Sequence, residues 1–190
     1  MSPRRIRRAG FTTIELMIVL TIAAVLIAVA VPSFADFLSK RRVDGVMAEL
    51  VTDLHYTRSE AVSRNAPVRI TFGPRCYVIH LASATSAECD ASTAAPTKTI
   101  TPAAAEIKTV QLQAGRPLAI DTGTLPFFIE FDPVRGTVVN SAGTGTASVD
   151  VRSTAGTAWQ VRAVLTLMGR VNTCSPDGAG HVTGYSTDCS

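Results

Sequence analysis

The stretch that decides the fold of this chain is GFTTIELMIVLTIAAVLIAVAV, which covers residues 10–31. Its apolar part, from Phe11 to Val31, has the length of about 20 residues that a helix needs to cross a hydrocarbon core. Glu15 is the only charged residue in it, and a basic leader precedes it, with Arg4, Arg5, Arg7 and Arg8. The stretch therefore predicts a membrane-spanning helix with one carboxylate near its start.

Three interpretations of this stretch compete. A secretory signal peptide is suggested by residues 28–30, Ala-Val-Ala, which imitate a small-residue cleavage site. Such a peptide, however, has an apolar region of only about 7–15 residues. A plain signal anchor fits the arginines through the positive-inside rule. It leaves Glu15 unexplained, since a carboxylate in an apolar helix costs roughly 2.5–3.5 kcal/mol. In the third, the chain is cut between Gly10 and Phe11, and the new amine at Phe11 lies one helical turn from Glu15 on the same face.

The third interpretation is supported by a family resemblance. Residues 10–15, Gly-Phe-Thr-Thr-Ile-Glu, together with the apolar run, resemble the class III signal of type IV pilins and type II secretion pseudopilins. The resemblance implies cleavage after Gly10 by a prepilin peptidase and N-methylation of Phe11. It also implies assembly with other pilins through Glu15, in a filament whose core is a bundle of such helices. The expected location is the inner membrane, crossed once, with the C-terminal domain in the periplasm.

Length and charge limit the number of domains and the kind of nucleic-acid binding that the chain can have. The 190 residues suffice for one domain beyond the helix. The net charge of +3 includes four leader arginines, and without them 14 basic residues face 15 acidic ones, a formal balance of −1. The mature chain is therefore not broadly basic, and any binding to nucleic acid must come from a local patch.

Beyond residue 32 the predicted helix continues and becomes amphipathic. Apolar residues recur at three- and four-residue steps, at Val43, Val46, Met47, Leu50, Val51, Leu54 and Ala61. Charged residues are expected on the opposite, solvated face, at Asp44, Glu49, Asp53, Arg58 and Glu60. Residues 65–67, Asn-Ala-Pro, end the helix. We therefore divide the chain into a leader at 1–10, a membrane-spanning half-helix at 11–32, an amphipathic half at 33–65 and a β-domain at 66–190.

The β-domain is predicted from alternating apolar and polar residues. Strands are expected near 68–72, 76–81, 107–112, 119–120, 127–131, 137–139, 148–152 and 159–165. The segment 83–102 is rich in Ala, Ser, Thr and Pro and predicts an irregular surface loop. A Gly- and Ser-rich tail follows Gly169. The fold class is α+β, a long helix followed by an antiparallel β-domain.

A second resemblance lies at the end of the helix. Residues 50–65, LVTDLHYTRSEAVSRN, and the Phe-Asp-Pro-x-x-Gly turn at 131–136 resemble the GspH/FimT family of minor pilins and pseudopilins. This resemblance implies a minor pilin of the FimT/FimU type that acts in assembly of a type IV pilus. The alternative is a GspH-like pseudopilin of a type II secretion system.

The four cysteines predict disulfides, which the periplasm favours. Four cysteines allow three pairings. The short separations favour Cys76 with Cys89 and Cys174 with Cys189, and the other two pairings stay open. Each local bond would close a loop of about 15 residues and contribute roughly 3 kcal/mol. A metal site formed by Cys174, Cys189 and His181 is the rival, but it lacks a CxxC spacing.

The tail also carries the candidate DNA-binding residues. Residues 169–175 resemble the C-terminal region of FimT-type minor pilins, in which a Gly-Arg-x-Arg pattern is linked to double-stranded DNA binding during natural transformation. Arg170 matches the first arginine, whereas Asn172 replaces the second. With Arg152 and Arg162 they form a candidate patch, expected to bind weakly and in a salt-sensitive way. The alternative is that Arg170 ends a strand or pairs with a carboxylate.

Catalysis is not indicated. His55, His80 and His181 have no catalytic motif around them, and no glycine-rich phosphate loop occurs. His80 is expected at a strand surface or partly buried, and Trp159 is expected in the core. A membrane-anchored periplasmic enzyme is therefore the least favoured class, and no metal or cofactor is expected.

Overall fold

The computed structural model describes residues 12–113, 116–123 and 127–189. Helix α1 spans Thr13–Arg64 and continues through residue 32. The predicted cleavage site between Gly10 and Phe11 lies outside the described residues. Internal contacts divide the chain into two compact units, Met1–Phe37 and Leu38–Ser190, and the second is called the globular unit below.

The first half of α1 is apolar on every side. An 18-residue window of the helix has a mean hydropathy of 2.8, and none of that window is buried within the chain. Leu16, Leu20 and Leu26 are between 55% and 66% exposed. By length and composition this half could cross a membrane.

The second half of α1 packs on the sheets of the globular unit. The predicted stripe supplies Val43, Met47, Leu50, Leu54 and Ala61, all at most 1% exposed. The prediction that Asp53 lies on the solvated face is wrong, because this residue is only 3% exposed.

The helix ends in a Schellman motif. Asn65 adopts a left-handed conformation with φ of 49°. The Asn65 amide donates to the Val62 carbonyl, and the Ala66 amide donates to the Ala61 carbonyl, both at 3.2 Å. These bonds satisfy two of the last carbonyls of the helix, and Pro67 prevents its continuation.

Twelve strands are described in the globular unit. In chain order they are β1 Val68–Gly73, β2 Cys76–Leu81, β3 Ser86–Asp90, β4 Thr97–Thr101, β5 Glu106–Gln111, β6 Leu118–Asp121, β7 Phe127–Phe131, β8 Val138–Asn140, β9 Gly143–Thr144, β10 Ala147–Ser153, β11 Gln160–Leu165 and β12 Val171–Cys174. A short 3-10 helix, Ala103–Ala105, precedes β5.

The strands form three antiparallel sheets. The largest has the order β5-β2-β1-β7-β8-β9, the second β12-β11-β10-β6, and the smallest is the hairpin β3-β4. Alternate residues of the two larger sheets enter one core with α1, as the pattern of β10 illustrates. The predicted α+β class, one long helix and then antiparallel strands, is confirmed.

The segment between β2 and the 3-10 helix differs from the sequence-based prediction. Residues 83–102 are not an irregular loop, because β3 and β4 pair there over five residues each. The β-branched run Thr97–Thr101 suits a strand, and the Cys76–Cys89 disulfide attaches β3 to β2. Gly73 permits the close approach, since a Cβ there would lie 2.0 Å from the Cys89 carbonyl oxygen.

The C-terminal tail is also more ordered than its composition suggests. Its first residues form β12, which pairs with β11 from Arg162–Cys174 to Leu165–Val171. Further along, Val182 is fully buried in the core. The tail is therefore part of the globular unit rather than an appendage held only by a disulfide.

Candidate functional site

The start of α1 places Glu15 in the first helical turn. Thr12 caps this turn, because its Oγ1 accepts a hydrogen bond from the Glu15 amide at 3.3 Å. Thr12 and Glu15 occupy the two key positions of a capping box, and a carboxylate there also interacts favourably with the helix dipole. The Glu15 carboxylate therefore also stabilises the helix start locally, in addition to the predicted pairing with a new amine. Its predicted partner, the amine of Phe11, lies outside the described residues.

A polar cluster connects α1 to two strands of the largest sheet. The Asp53 carboxylate accepts hydrogen bonds from the Tyr77 hydroxyl at 2.8 Å and from Lys108 Nζ at 2.7 and 2.8 Å. Burial, followed by the hydrogen bond to Asp53, raises the pKa of Tyr77 far above its usual value. The cluster thus satisfies a buried carboxylate and fixes the position of the helix on β2 and β5.

A second polar group joins the two segments that resemble the GspH/FimT family, residues 50–65 and the turn at 131–136. Arg58 was expected in solvent but is half-buried, and its Nη1 donates to the Gly169 carbonyl at 3.5 Å. Gly136 and Gly169 both have positive φ, 64° and 72°. A Cβ on Gly136 would lie 3.0 Å from the Arg58 guanidinium. The arginine of the helix signature and the glycine of the Phe-Asp-Pro-x-x-Gly turn therefore meet in one contact, together with the glycine before Arg170.

The candidate DNA-binding residues lie on or next to the second sheet but are mostly neutralised there. Arg162 forms a bidentate pair with Asp150 at 2.6 and 2.8 Å, which raises the pKa of Arg162. Arg152 pairs with Asp121 at 3.0 Å. Arg170 and Asn172 are exposed. Because Asp121 and Asp150 come from neighbouring strands, only the strand register reveals these pairings.

The four cysteines form two disulfides, Cys76–Cys89 and Cys174–Cys189. These are the pairs that the short separations favour, and no cysteine is free. With Cys174 and Cys189 oxidised, the rival metal site lacks its thiolates. His181 instead contacts the Ser175 carbonyl through Nδ1 at 3.0 Å.

The predictions for Trp159 and His80 have different outcomes. Trp159 is partly buried and packs against the core just before β11, with Lys40 Nζ 5.6 Å from its ring centroid. His80 is more buried than expected, at 2% exposed. Its Nε2 lies 2.9 Å from Thr71 Oγ1, and its Nδ1 lies 2.8 Å from the Leu81 carbonyl. Burial lowers the pKa of His80.

Comparison with known proteins gives matches along most of the chain. A family model described as type II transport protein GspH matches residues 47–169, and one described as the prokaryotic N-terminal methylation motif matches residues 5–31. Fimbrial protein Q of Moraxella bovis is 49% identical over 41 residues, which are 22% of this chain and 26% of that protein. The chain thus matches about a quarter of that relative's length.

A solved structure is also similar. The type IV minor pilin FimU of Pseudomonas aeruginosa PAO1 has 17% sequence identity and a TM-score of 0.47. The alignment covers 78% of this chain and 98% of that one.

Proposed function

Since the chain belongs to the GspH family of pilin-like proteins, we propose that it is a minor subunit of a type IV pilus, of the FimT/FimU type. The family is a structural one, and the proposal contains no enzymatic step. The observation that carries it is the contrast within α1. Its apolar first half is not buried by any of the described residues, whereas its second half packs on the sheets of the globular unit. The apolar half would be covered by lipid before assembly and by the helices of other subunits after assembly.

The proposal assigns processing to the start of the chain. A prepilin peptidase would cut between Gly10 and Phe11, inside the segment matched by the methylation motif, and Phe11 would be N-methylated. The new amine would lie one turn before Glu15, whose own turn is capped by Thr12. Before assembly the chain would cross the inner membrane once and hold its disulfides in the periplasm.

The test replaces the carboxylate of Glu15. Glu15→Ala and Glu15→Gln should insert and be cleaved normally, but enter sheared filaments at least about tenfold less, because 1.4 kcal/mol of lost pairing already gives that factor. Thr21→Ala is the control, since it removes a polar group from the same apolar half. Immunoblots of filament and membrane fractions measure both steps.

Two results would contradict the proposal. Normal incorporation of Glu15→Ala would exclude the pairing with the new amine. Mass spectrometry that finds an uncleaved start in cells with working peptidase would exclude the processing step, because a cleaved chain must begin at methylated Phe11.

A type II secretion pseudopilin is the second candidate, favoured by the description of the matching family. Both candidates require the same helix and the same processing. Deleting the gene separates them, because loss of a minor pilin should reduce surface pili, whereas loss of a pseudopilin should reduce secretion of exoproteins.

DNA capture is a narrower part of the proposal. Arg152 and Arg162 are engaged by carboxylates, so any DNA contact depends mainly on Arg170 with help from Asn172. Arg170→Glu should therefore abolish retention of duplex DNA by the detergent-solubilised chain in a low-salt gel shift. If the unchanged chain retains no DNA at low salt, this part of the proposal fails.

A further inference from the structure

An apolar surface of the globular unit surrounds Arg58. Among the described residues, five large apolar side chains of this unit are exposed, and four of them belong to this surface. They are Val134 at 82%, Met168 at 66%, Val62 at 58% and Leu167 at 39% exposed. Scattered exposed apolar residues are ordinary, but a contiguous group rimmed by polar residues marks an interaction site.

The contacts of Arg58 bring together the two turns that carry three of these residues, 132–136 and 166–170. Its guanidinium lies against Gly136, two residues after Val134, and against Gly169, which follows Met168. Val62 is one helical turn beyond Arg58 on the same face of α1. We call the surface formed by Val62, Val134, Leu167, Met168, Arg58 and Arg170 the Arg58 patch.

The first turn of the patch, residues 132–136, is held by hydrogen bonds to the side chain and the carbonyl of Asp132. Asp132 Oδ1 accepts hydrogen bonds from the amides of Val134 at 2.9 Å and Arg135 at 2.6 Å. The Gly136 amide donates to the Asp132 carbonyl at 3.0 Å. Val134 is therefore presented on a preformed turn.

The second turn, residues 166–170, is held by backbone hydrogen bonds and is bonded to the start of β8, the strand that follows the first turn. The Gly169 amide donates to the Thr166 carbonyl at 2.8 Å, and the Thr166 amide donates to the Arg170 carbonyl at 3.0 Å. The Val138 amide donates to the Leu167 carbonyl at 2.9 Å. A surface fixed before binding loses little conformational entropy on binding, while the flexible side chain of Met168 can adapt to its partner.

The charge of the patch indicates the chemistry of its partner. Neither Arg58 nor Arg170 has a carboxylate partner among the ion pairs of the described residues. An occupant that covers the apolar side chains also removes water from these guanidinium groups, which is costly unless it supplies carboxylates. We propose that the Arg58 patch docks an apolar segment bearing Asp or Glu on a neighbouring filament subunit, an inference that rests on the proposed function.

A protein occupant accounts for more of the patch than a nucleic acid does. Phosphates could pair with Arg58 and Arg170, but duplex DNA would leave Val62, Val134 and Met168 without apolar contacts, because protein–DNA interfaces are polar and strongly basic. Met and Arg are both enriched in protein–protein interfaces.

Photo-crosslinking in cells that assemble the filament tests the inference. Met168 is replaced by p-benzoylphenylalanine in the full chain, with Ser148, an exposed residue on β10, as the matched control. We expect a crosslink from position 168 to one other filament subunit, at a peptide with a carboxylate beside apolar residues. The yield should be at least about tenfold above that from position 148, and Arg170→Glu should lower it about tenfold.

Several outcomes overturn the inference while the proposed function stands. The inference fails if a cleaved and incorporated chain gives no crosslink from position 168, or gives equal yields from both positions. It also fails if position 168 crosslinks to phospholipid or DNA. A linked peptide without Asp or Glu also overturns it, because the charge argument then fails. A chain that is never cleaved at Phe11 removes the proposed function, and this inference with it.

Discussion

The two halves of α1 contain the same kinds of residue in opposite surroundings. Leu20, in the first half, is 59% exposed, whereas Leu50 and Leu54, in the second, are fully buried. The first half is apolar on all faces and the second only along a stripe. One helix is thus adapted to two environments, since an all-round apolar surface requires lipid or other helices, and a stripe requires a single packing face.

The carboxylates of the two halves differ in the same way. In the packed half, Asp53 receives hydrogen bonds from Tyr77 and Lys108 of the same chain. In the apolar half, the Glu15 side chain is exposed, and only its backbone amide makes the capping hydrogen bond to Thr12 Oγ1. A carboxylate that is bonded to strands of its own chain fixes the fold, whereas an exposed carboxylate is accessible to a second molecule.

The largest expected effect on the free energy of unfolding comes from truncating a leucine in the packed half, compared with the same truncation in the apolar half. Leu50→Ala should lower the free energy of unfolding of the globular unit by about 2–5 kcal/mol, because it leaves a cavity in the core. Leu20→Ala, the matched control, should change it little. Denaturant titration of the full chain in detergent, followed by Trp159 fluorescence, measures both, since Trp159 is the single tryptophan.

Equal effects of these two substitutions would contradict the comparison. A large loss in Leu20→Ala would mean that the apolar half contributes to the stability of the globular unit. A negligible loss in Leu50→Ala would mean that the stripe does not pack as described.

Removing the buried carboxylate should have the next largest effect. Asp53→Ala leaves the buried Tyr77 hydroxyl without its acceptor, and we expect a loss of about 2 kcal/mol. Glu49→Ala is the control, because Glu49 is an exposed acid one turn earlier on the same helix. If Asp53→Ala is as mild as Glu49→Ala in the same titration, the cluster does not fix the helix on the sheet.

The sequence allowed the helix, most strands and the two disulfides to be predicted because their signals are local. Apolar periodicity is decided within a few residues, and the cysteines of each pair are 13 and 15 residues apart. The β3-β4 hairpin and β12 were missed, since the Ala-, Ser- and Thr-rich segment of β3 and β4 carries little apolar alternation and β12 is only four residues long. Their pairing depends on contacts with β11 and with the disulfide at Cys89.

The site was predicted less completely, because its contacts join distant parts of the chain. In sequence, Asp53 looks like the other charged residues of α1. Its burial depends on Tyr77 and Lys108, which are 24 and 55 residues away. Arg58 is 111 residues from Gly169. Nothing local distinguishes these residues from a solvated helix face.

The smallest expected effect is a pH dependence of stability that comes from His80, a buried residue of β2. Burial lowers the pKa of His80, so the folded state disfavours the imidazolium. In the unfolded chain the imidazole takes up a proton near pH 6.5. Between the two pKa values the unfolded state binds more protons, so the stability falls as the pH drops below about 6.5, by at most about 1.4 kcal/mol per pH unit.

The charged groups beside His80 allow this effect to be isolated. Arg69 disfavours the imidazolium and Glu130 favours it, and Glu106 lies opposite on β5. Carboxylates ordinarily titrate near pH 4, so unfolding measured between pH 7.5 and 5.5 reports mainly on the histidine. His80→Gln should remove the dependence, whereas His55→Gln, at an exposed position of α1, should retain it. A dependence that survives in His80→Gln would assign the titration to another group and leave His80 with a packing role alone.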